Sequence, residues 1–133
     1  MDDDLEILLI EDDEDVADVY RTRLEADGYR VTIARDGKDG LERAMTDHPD
    51  LIFVDLRLPG FDGFEVIRRL RAESSTTAIP VVILTNYDEP ELRQRGLSLG
   101  VLEFLIKTDT SPAQLSEHTL LWLETPETPE SAG

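Results

Sequence analysis

The sequence predicts an α/β fold in which a five-stranded parallel sheet is covered by helices on both sides. Five short apolar runs alternate along the 133 residues with segments whose apolar residues recur every three or four positions. Two of these runs, Leu51–Val54 and residues 79–85, are almost wholly apolar, as expected of strands buried on both faces. Glycine, proline or aspartate separates most runs from the periodic segments. Strands that alternate with helices in this way predict a parallel sheet between two helix layers.

The first strand and helix follow from a change of period near the amino terminus. Residues 5–10 (LEILLI) form a run that is too short for a stable helix and long enough for a strand. A helix is predicted from Glu14 to Gly28, where the glycine would end it as a C-cap. Its apolar positions, which recur at steps of three and four residues, are Val16, Val19, Tyr20 and Leu24.

The next three elements lead to the centre of the predicted sheet. Arg30–Ala34 alternates as a strand does, and Asp36 and Gly37 then turn the chain into a second helix that ends before Pro49. Leu51–Val54 is the third strand. The apolar positions of the second helix are Leu41, Ala44 and Met45.

The second half repeats the alternation twice more. Residues 58–63 (LPGFDG) are predicted to form a loop before a third helix, and residues 79–85 a fourth strand with Pro80 near its start. A helix over residues 90–99 ends at Gly100, and residues 102–106 form the fifth strand. The apolar positions of the third helix are Phe64, Val66, Ile67 and Leu70.

The last predicted helix opens at Ser111 and Pro112, since proline is favoured in the first turn, and runs through Trp122. We expect Trp122 to share the apolar face of this helix with its neighbours. These neighbours are Leu120, Leu121 and Leu123.

The order of these elements, with right-handed crossovers, predicts a flavodoxin-like three-layer sandwich with strand order 2-1-3-4-5 and five helices. The length suits one domain, which we expect over residues 5–124. Residues 1–4 are expected to be an acidic tail, and the proline-rich, polar residues 125–133 a disordered tail.

Composition excludes several classes of function. Thirteen basic and thirty acidic side chains leave a formal charge of −17, which repels phosphate backbones and argues against direct nucleic-acid binding. No apolar run approaches the ~18 residues of a membrane span, and the acidic start is unlike a signal peptide. The absence of cysteine fits a cytoplasmic protein without disulfides. The acidity has two open explanations, a GC-rich genome that prefers arginine and adaptation to high salt.

Polar side chains follow four of the five predicted strands. Glu11, Asp12 and Asp13 follow the first strand directly, and Asp55 follows the third. The fourth strand ends in Thr85 and Asn86, and the fifth is followed by Lys107, one of only two lysines. Because ligands of such sheets bind beyond the carboxyl ends of the strands, we expect these residues to converge on one site.

The residue types point to phosphoryl transfer. Asp13 and Thr85 have simple structural explanations, as a helix cap and a strand former. Asp55 beside Glu11 and Asp12 is harder to explain, because neighbouring carboxylates repel each other unless they share a cation. Mg²⁺ prefers such oxygen ligands and phosphate, whereas no His or Cys is present at the strand ends for zinc or copper. A lysine and a hydroxyl beside these acids make a site where an aspartate can be the nucleophile.

Four segments together resemble the receiver domains of two-component response regulators. They are ILLIEDD (7–13), LIFVDLRLPGFDGFEV (51–66), VVILTN (81–86) and EFLIK (103–107). Each segment alone is a weak signal, but all four occur in the right order on the right strands, and the resemblance extends over about residues 5–123.

The resemblance implies a phosphoacceptor and a magnesium site. It assigns Asp55 as the phosphoacceptor, with Glu11 and Asp12 as the acidic pair that holds Mg²⁺. A register using Asp12 and Asp13 stays open, although the pair normally follows the strand immediately. The backbone carbonyl of Arg57 would complete the protein ligands of the metal together with Asp55.

The resemblance also implies a switch. Thr85 is similar to the hydroxyl that bonds the phosphoryl group, Lys107 to the lysine that pairs with it, and Phe104 to the aromatic residue that follows the threonine. The output surface would be the fourth helix, fifth strand and fifth helix. The implied partners are a sensor histidine kinase or phosphotransfer protein and a downstream target protein. We expect a signalling protein rather than an enzyme, without a further output domain, as a monomer or weak dimer.

Four positions depart from the pattern of that family. Thr108 stands where a proline with a cis bond is usual; because a cis bond before another residue costs about 2.5–4 kcal/mol, we expect a trans bond with a changed loop, or local strain. Asn86 replaces a small residue and is expected to crowd the phosphoryl pocket. Arg57 is a long cation able to reach the phosphate. Phe104 lacks the hydroxyl of the more usual tyrosine and is equally consistent with a packed core residue.

Three alternatives use a similar fold. A pseudo-receiver would act as an adaptor without phosphorylation, and would be expected to lack one of the site residues. A haloacid-dehalogenase-like phosphatase generally needs a second aspartate two residues after the first, where this chain has Arg57. A flavodoxin needs a hydroxyl-rich loop after the first strand, where this chain has three acids, so that alternative is excluded.

Overall fold

The computed structural model describes residues 5–124; the tails predicted over 1–4 and 125–133 lie outside this range. Within it, five strands alternate with five α-helices, and a 3₁₀ turn follows the last strand. The strands are β1 (Glu6–Ile10), β2 (Arg30–Ala34), β3 (Leu51–Val54), β4 (Val81–Thr85) and β5 (Glu103–Ile106). The helices are α1 (Glu14–Ala26), α2 (Gly37–Asp47), α3 (Gly63–Ala72), α4 (Pro90–Ser98) and α5 (Pro112–Glu124), and the 3₁₀ turn is Lys107–Asp109.

All strand pairs are parallel, and their order is β2-β1-β3-β4-β5. This confirms the predicted fold class, strand order and number of helices. The predicted element limits agree with the structure or differ from it by one or two residues. Strand β4, for example, begins at Val81 rather than at residue 79, after Pro80, which has no N–H to donate.

The sheet separates two apolar clusters. Leu8 and Ile10 of β1 pack with α2 and α3, whereas Ile7 and Leu9 pack with α1 and α5. Every residue of β3 is buried because helices cover both faces of this central strand. The wholly apolar sequence of β3 therefore has the physical cause predicted for it.

Four of the apolar residues named for the predicted helices are exposed in the structure rather than buried. On α1 the buried positions are Ala17, Tyr20 and Leu24, and on α5 they include Leu115 and Thr119. One residue turns a helix by about 100°, so a neighbour of a buried position can point away from the sheet. The four residues and their exposed fractions are Val19 (53%), Met45 (39%), Leu120 (46%) and Leu121 (64%).

A close backbone approach positions the loop between β3 and α3. The N–H of Gly63 donates to the carbonyl of Leu56 at 3.0 Å. A Cβ atom at Gly63 would collide with the backbone carbonyl of Asp55 and with the Cα of Leu56. Glycine is thus required here for α3 to start against the end of β3.

Candidate functional site

Side chains from the ends of β1, β3 and β5 meet in one buried ion cluster. Lys107 Nζ lies 2.8 Å from Asp55 Oδ2 and 2.6 Å from Glu11 Oε1. Glu11 is 2% exposed and Asp55 is 6% exposed. The parallel register explains this convergence, since the carboxyl ends of these strands share one edge of the sheet.

A third carboxylate joins the cluster from the first turn after β1. Carboxylate oxygens of Glu11, Asp12 and Asp55 lie within 4.8 Å of one another. Asp13 has a different bonding pattern: as the N-cap of α1, its carboxylate accepts the N–H groups of Asp15 at 3.0 Å and Val16 at 3.2 Å. The carboxylate of Asp12 therefore lies with those of Glu11 and Asp55, whereas the carboxylate of Asp13 caps α1.

Burial and charge act in opposite directions on the pKa values of this cluster. Burial raises the pKa of Glu11 above its ordinary value, although a hydrogen bond from Lys107 opposes the increase. Burial alone would lower the pKa of Lys107, but hydrogen bonds and the negative charges of Asp55 and Glu11 outweigh it and raise this pKa. Lys107 is therefore protonated at neutral pH.

The donor set fits a hard divalent cation. One ammonium group faces three carboxylates, so ionised carboxylates leave an excess of negative charge at the edge of the sheet. All three side chains offer oxygen, which Mg²⁺ prefers, and typically one or two carboxylates hold this ion in proteins. The cavity in front of them has a volume of about 410 Å³ and is also lined by Arg57, Asn86 and Lys107.

Thr85 and Phe104 are both buried. Thr85 at the end of β4 is fully enclosed, and its Oγ1 accepts the N–H of Tyr87 at 3.4 Å. Phe104 on β5 is 3% exposed, and the guanidinium group of Arg93 lies 4.9 Å from its ring centroid. Arg93 also donates to the carbonyl of Phe104 at 3.1 Å, which ties α4 to the edge strand.

Arg57 lines the cavity, and its side chain packs on the aromatic ring of Tyr87. Its guanidinium group lies 4.8 Å from the ring centroid of Tyr87, and its backbone N–H points to Asp55 Oδ1 at 3.4 Å. The exposed Asn86 lines the same cavity, where it was expected to crowd the phosphoryl pocket.

The loop after β5 has the trans peptide predicted for it. Residues 5–124 contain no cis peptide bond, so the Lys107–Thr108 bond is trans, and the chain forms a 3₁₀ turn there. Tyr20 of α1 donates from its hydroxyl to the carbonyl of Thr110 at 2.8 Å. This contact, which anchors the loop that carries Lys107, was missed because Tyr20 appeared in the sequence only as an apolar helix position.

Comparison with known proteins establishes the family. The model of the response regulator receiver domain matches residues 7–119, and the chain therefore belongs to this family of two-component signalling proteins. Over 101 residues, 76% of this chain, it is 40% identical to the response regulator PleD of Caulobacter vibrioides and 38% identical to the alkaline phosphatase synthesis transcriptional regulatory protein PhoP of Bacillus subtilis. The match covers 22% and 41% of those proteins, so the chain spans less than half of either.

Solved structures agree with this assignment. The chemotaxis protein CheY4 of Vibrio cholerae is 28% identical, with a TM-score of 0.82 and coverage of 91% of this chain and 99% of that one. A Mn²⁺-bound form of the response regulator Rcp1 is 26% identical, with a TM-score of 0.77 and coverage of 92% and 96%. Within residues 5–124, no helix is both long enough and apolar enough to cross a membrane.

Proposed function

We propose that residues 5–124 form a phosphoacceptor receiver domain in which Asp55 takes a phosphoryl group from a histidine kinase or a phosphotransfer protein. The observation that carries this proposal is the contact between Lys107 Nζ and Asp55 Oδ2 at 2.8 Å, within a cluster of three carboxylates. A lysine beside a carboxylate nucleophile can neutralise the charge of an incoming phosphoryl group.

The transfer step requires one bond to form and one to break. An Asp55 carboxylate oxygen attacks phosphorus, the P–N bond of a donor phosphohistidine breaks, and the imidazole nitrogen keeps the bonding electron pair. Lys107 then has a phosphoryl oxygen as a further acceptor for its N–H groups. The hydroxyl of Thr85, which accepts from Tyr87 in the structure, still has its proton to donate to the phosphoryl group.

Glu11, Asp12, Asp55 and the backbone carbonyl of Arg57 are the groups that would hold Mg²⁺. When bound, this ion supplies positive charge next to the phosphoryl oxygens. The carboxylate cluster supports this assignment by its oxygen-only donors and its excess of negative charge.

We further propose that phosphorylation acts on the surface formed by α4, β5 and α5, to which a downstream target protein would bind. The acyl phosphate adds up to about two negative charges next to Thr85. A new hydrogen bond from Thr85 would shift the chain at Tyr87, and Phe104 is tied to α4 through Arg93. Such a step changes the balance between two arrangements of one surface.

Intact mass spectrometry after incubation with Mg²⁺ and acetyl phosphate tests the phosphoacceptor. The wild type is expected to gain one phosphoryl group, and neither the Asp55→Asn variant nor the wild type with EDTA is expected to gain any. An adduct that persists in Asp55→Asn would assign another acceptor. If neither acetyl phosphate nor phosphoramidate modifies the wild type, the phosphorylation-independent adaptor becomes the better interpretation.

Calorimetric titration with Mg²⁺ tests which carboxylates hold the metal, by comparing variants of the adjacent residues Asp12 and Asp13. Asp12→Asn is expected to weaken Mg²⁺ binding at least about tenfold, equivalent to about 1.4 kcal/mol. Asp13→Asn is the matched control and should bind nearly as the wild type does, because asparagine also caps helix N-termini. Equal weakening by Asp13→Asn would instead support the register that uses Asp12 and Asp13.

A further inference from the structure

A second concave feature lies beside the phosphoacceptor site, between the β3–α3 loop, α3 and α4. This groove has a volume of about 350 Å³. Leu56 and Phe64, both largely buried, lie at its base, and the half-buried side chains of Leu58 and Leu92 pack against the same core cluster. The groove therefore offers an apolar surface that is open to solvent on one side.

Two exposed arginines line this apolar surface. Arg95 of α4 lies over the ring of Phe64, with its guanidinium carbon 4.2 Å from the ring centroid. Arg57 lies over the ring of Tyr87 at 4.8 Å, and both of these residues line the groove. The aromatic rings hold the guanidinium groups through cation–π contacts and leave their N–H donors available to another molecule.

These two arginines differ from the other cations of the described chain. Among residues 5–124, ten of the thirteen lysine and arginine side chains form ion pairs with described carboxylates. An eleventh, Arg71, donates to backbone carbonyls. Arg57 and Arg95 are the remaining two, and both lie on the same groove although acids outnumber bases thirty to thirteen.

We propose that this groove binds a short acidic segment of a partner protein, with an apolar side chain in the groove and carboxylates on Arg57 and Arg95. A guanidinium group bonds a carboxylate in a paired geometry, and that match supports a carboxylate as the ligand. The volume lies at the low end of the ~300–1,000 Å³ typical of ligand pockets, which suits a side-chain anchor rather than a whole helix. This surface shares α4 with the α4–β5–α5 surface but adds α3 and the β3–α3 loop, and the proposal concerns the unphosphorylated chain.

The acids near the groove limit where the partner's carboxylates can lie. Asp62 lines the groove, but its carboxylate accepts the N–H of Glu65 at 2.9 Å as the N-cap of α3. The formal charge of −17 repels an acidic partner at long range. At physiological ionic strength this repulsion is screened beyond about 8 Å, so contacts at the two arginines decide binding.

Selection from a phage-displayed library of random dodecapeptides tests the proposal on the unphosphorylated full chain at physiological ionic strength. The library is selected on the wild type and depleted on Arg95→Glu. Enriched peptides are expected to combine Asp or Glu with Leu, Phe or another large apolar residue. Failure to enrich any Arg95-dependent peptide, or enrichment without acidic residues, overturns the proposal.

The affinity of one enriched synthetic peptide is then measured for the wild type and for a variant that lacks the charge of Arg95. Arg95→Met keeps an unbranched stem against Phe64, and it is expected to weaken binding at least about tenfold. The matched control is Arg21→Met. Arg21 is an exposed arginine on α1 that does not line the groove, so this variant should bind the peptide as the wild type does. Equal losses in both variants would show that only the overall charge matters and would contradict a site at the groove.

The position at which the peptide binds can be measured on the wild type alone, without any variant. In amide NMR spectra, the peptide is expected to shift the signals of Leu58, Phe64 and Leu92, which line the groove. Shifts confined to α5 or to the α1 side would overturn the assignment. Arg95-dependent self-association in sedimentation velocity would make a second copy of the chain the occupant and would likewise overturn it. Because Arg95 takes no part in phosphoryl transfer, failure here leaves the phosphoacceptor proposal standing.

Discussion

Two partly or largely buried cations, Lys107 and Arg71, lie at opposite ends of the sheet and have opposite kinds of partner. Lys107 follows the carboxyl end of β5 and contacts the carboxylates of Asp55 and Glu11. Arg71, near the end of α3, donates to backbone carbonyls in the turns that precede β4 and β5. These carbonyls belong to Thr77 (3.1 Å), Ile79 (2.9 Å), Leu99 (3.4 Å) and Gly100 (3.3 Å).

The different partners have opposite effects on the pKa values of the two cations. Burial lowers the pKa of Arg71 from its ordinary value, and no carboxylate among residues 5–124 compensates. For Lys107, the carboxylates more than compensate for burial and raise the pKa. Carbonyl partners thus make Arg71 a cross-link between two turns, whereas carboxylate partners make Lys107 part of a charged site.

Replacing Lys107 should give the largest effect on activity. Lys107→Met is expected to slow phosphorylation of Asp55 by acetyl phosphate about a hundredfold or more, the usual range for removing one group that stabilises developing charge. Rates of adduct formation by mass spectrometry give the comparison. Lys38→Met is the control, because Lys38 is the other lysine and its side chain is 79% exposed. Equal phosphorylation rates for wild type and Lys107→Met would show that Lys107 takes no part in phosphoryl transfer.

Replacing Arg71 should change stability instead. Arg71→Met is expected to lower the free energy of unfolding by about 2–4 kcal/mol, because several carbonyls lose their donor, and to leave the phosphorylation rate of folded protein unchanged. Urea unfolding measures the first quantity. Arg43→Met removes only an exposed pair with Asp39 and should cost about 0.5 kcal/mol or less. A loss for Arg71→Met no larger than this control would refute its role as a cross-link.

The smallest expected effect concerns the exposed carboxylate of Asp27, whose contribution to stability should depend on pH. A hydrogen bond from the hydroxyl of Ser116, and then one from Arg23, lower the pKa of Asp27. The unfolded chain therefore binds a proton at this position more readily than the folded chain does. The stabilisation by Ser116 is expected to be present above the ordinary pKa of aspartate, about 3.9, and to be lost as the pH falls through the folded-state value.

Urea unfolding of wild type and Ser116→Ala across pH 3–7 measures this dependence. The difference in stability between them should be constant near neutral pH and shrink in acid. Ser98→Ala is the control, because Ser98 donates to the carbonyl of Arg95, which does not titrate. A difference for Ser116→Ala that stays constant to pH 3 would contradict the coupling to Asp27.

Particular elements show why most of the fold could be predicted. The apolar runs, their glycine and proline limits and their alternation with helical periods are local properties of the chain, and β3 has the burial on both faces that its composition predicts. The exposed Val19 and Leu121 show the limit of that approach. On α1 and α5 the apolar stretch is wider than the strip that contacts the sheet, and only packing decides which residues that strip includes.

The sequence by itself determined which residues follow the strands. Because parallel strands end at a common edge, the positions of Glu11, Asp55 and Lys107 in the chain were enough to predict that they meet. Only the tertiary structure decided that Lys107 contacts both carboxylates and that Arg95 lies over Phe64 without an ion pair to a carboxylate of residues 5–124. These contacts join residues far apart in the chain, and they depend on helix rotation and side-chain rotamers, which local pattern does not specify.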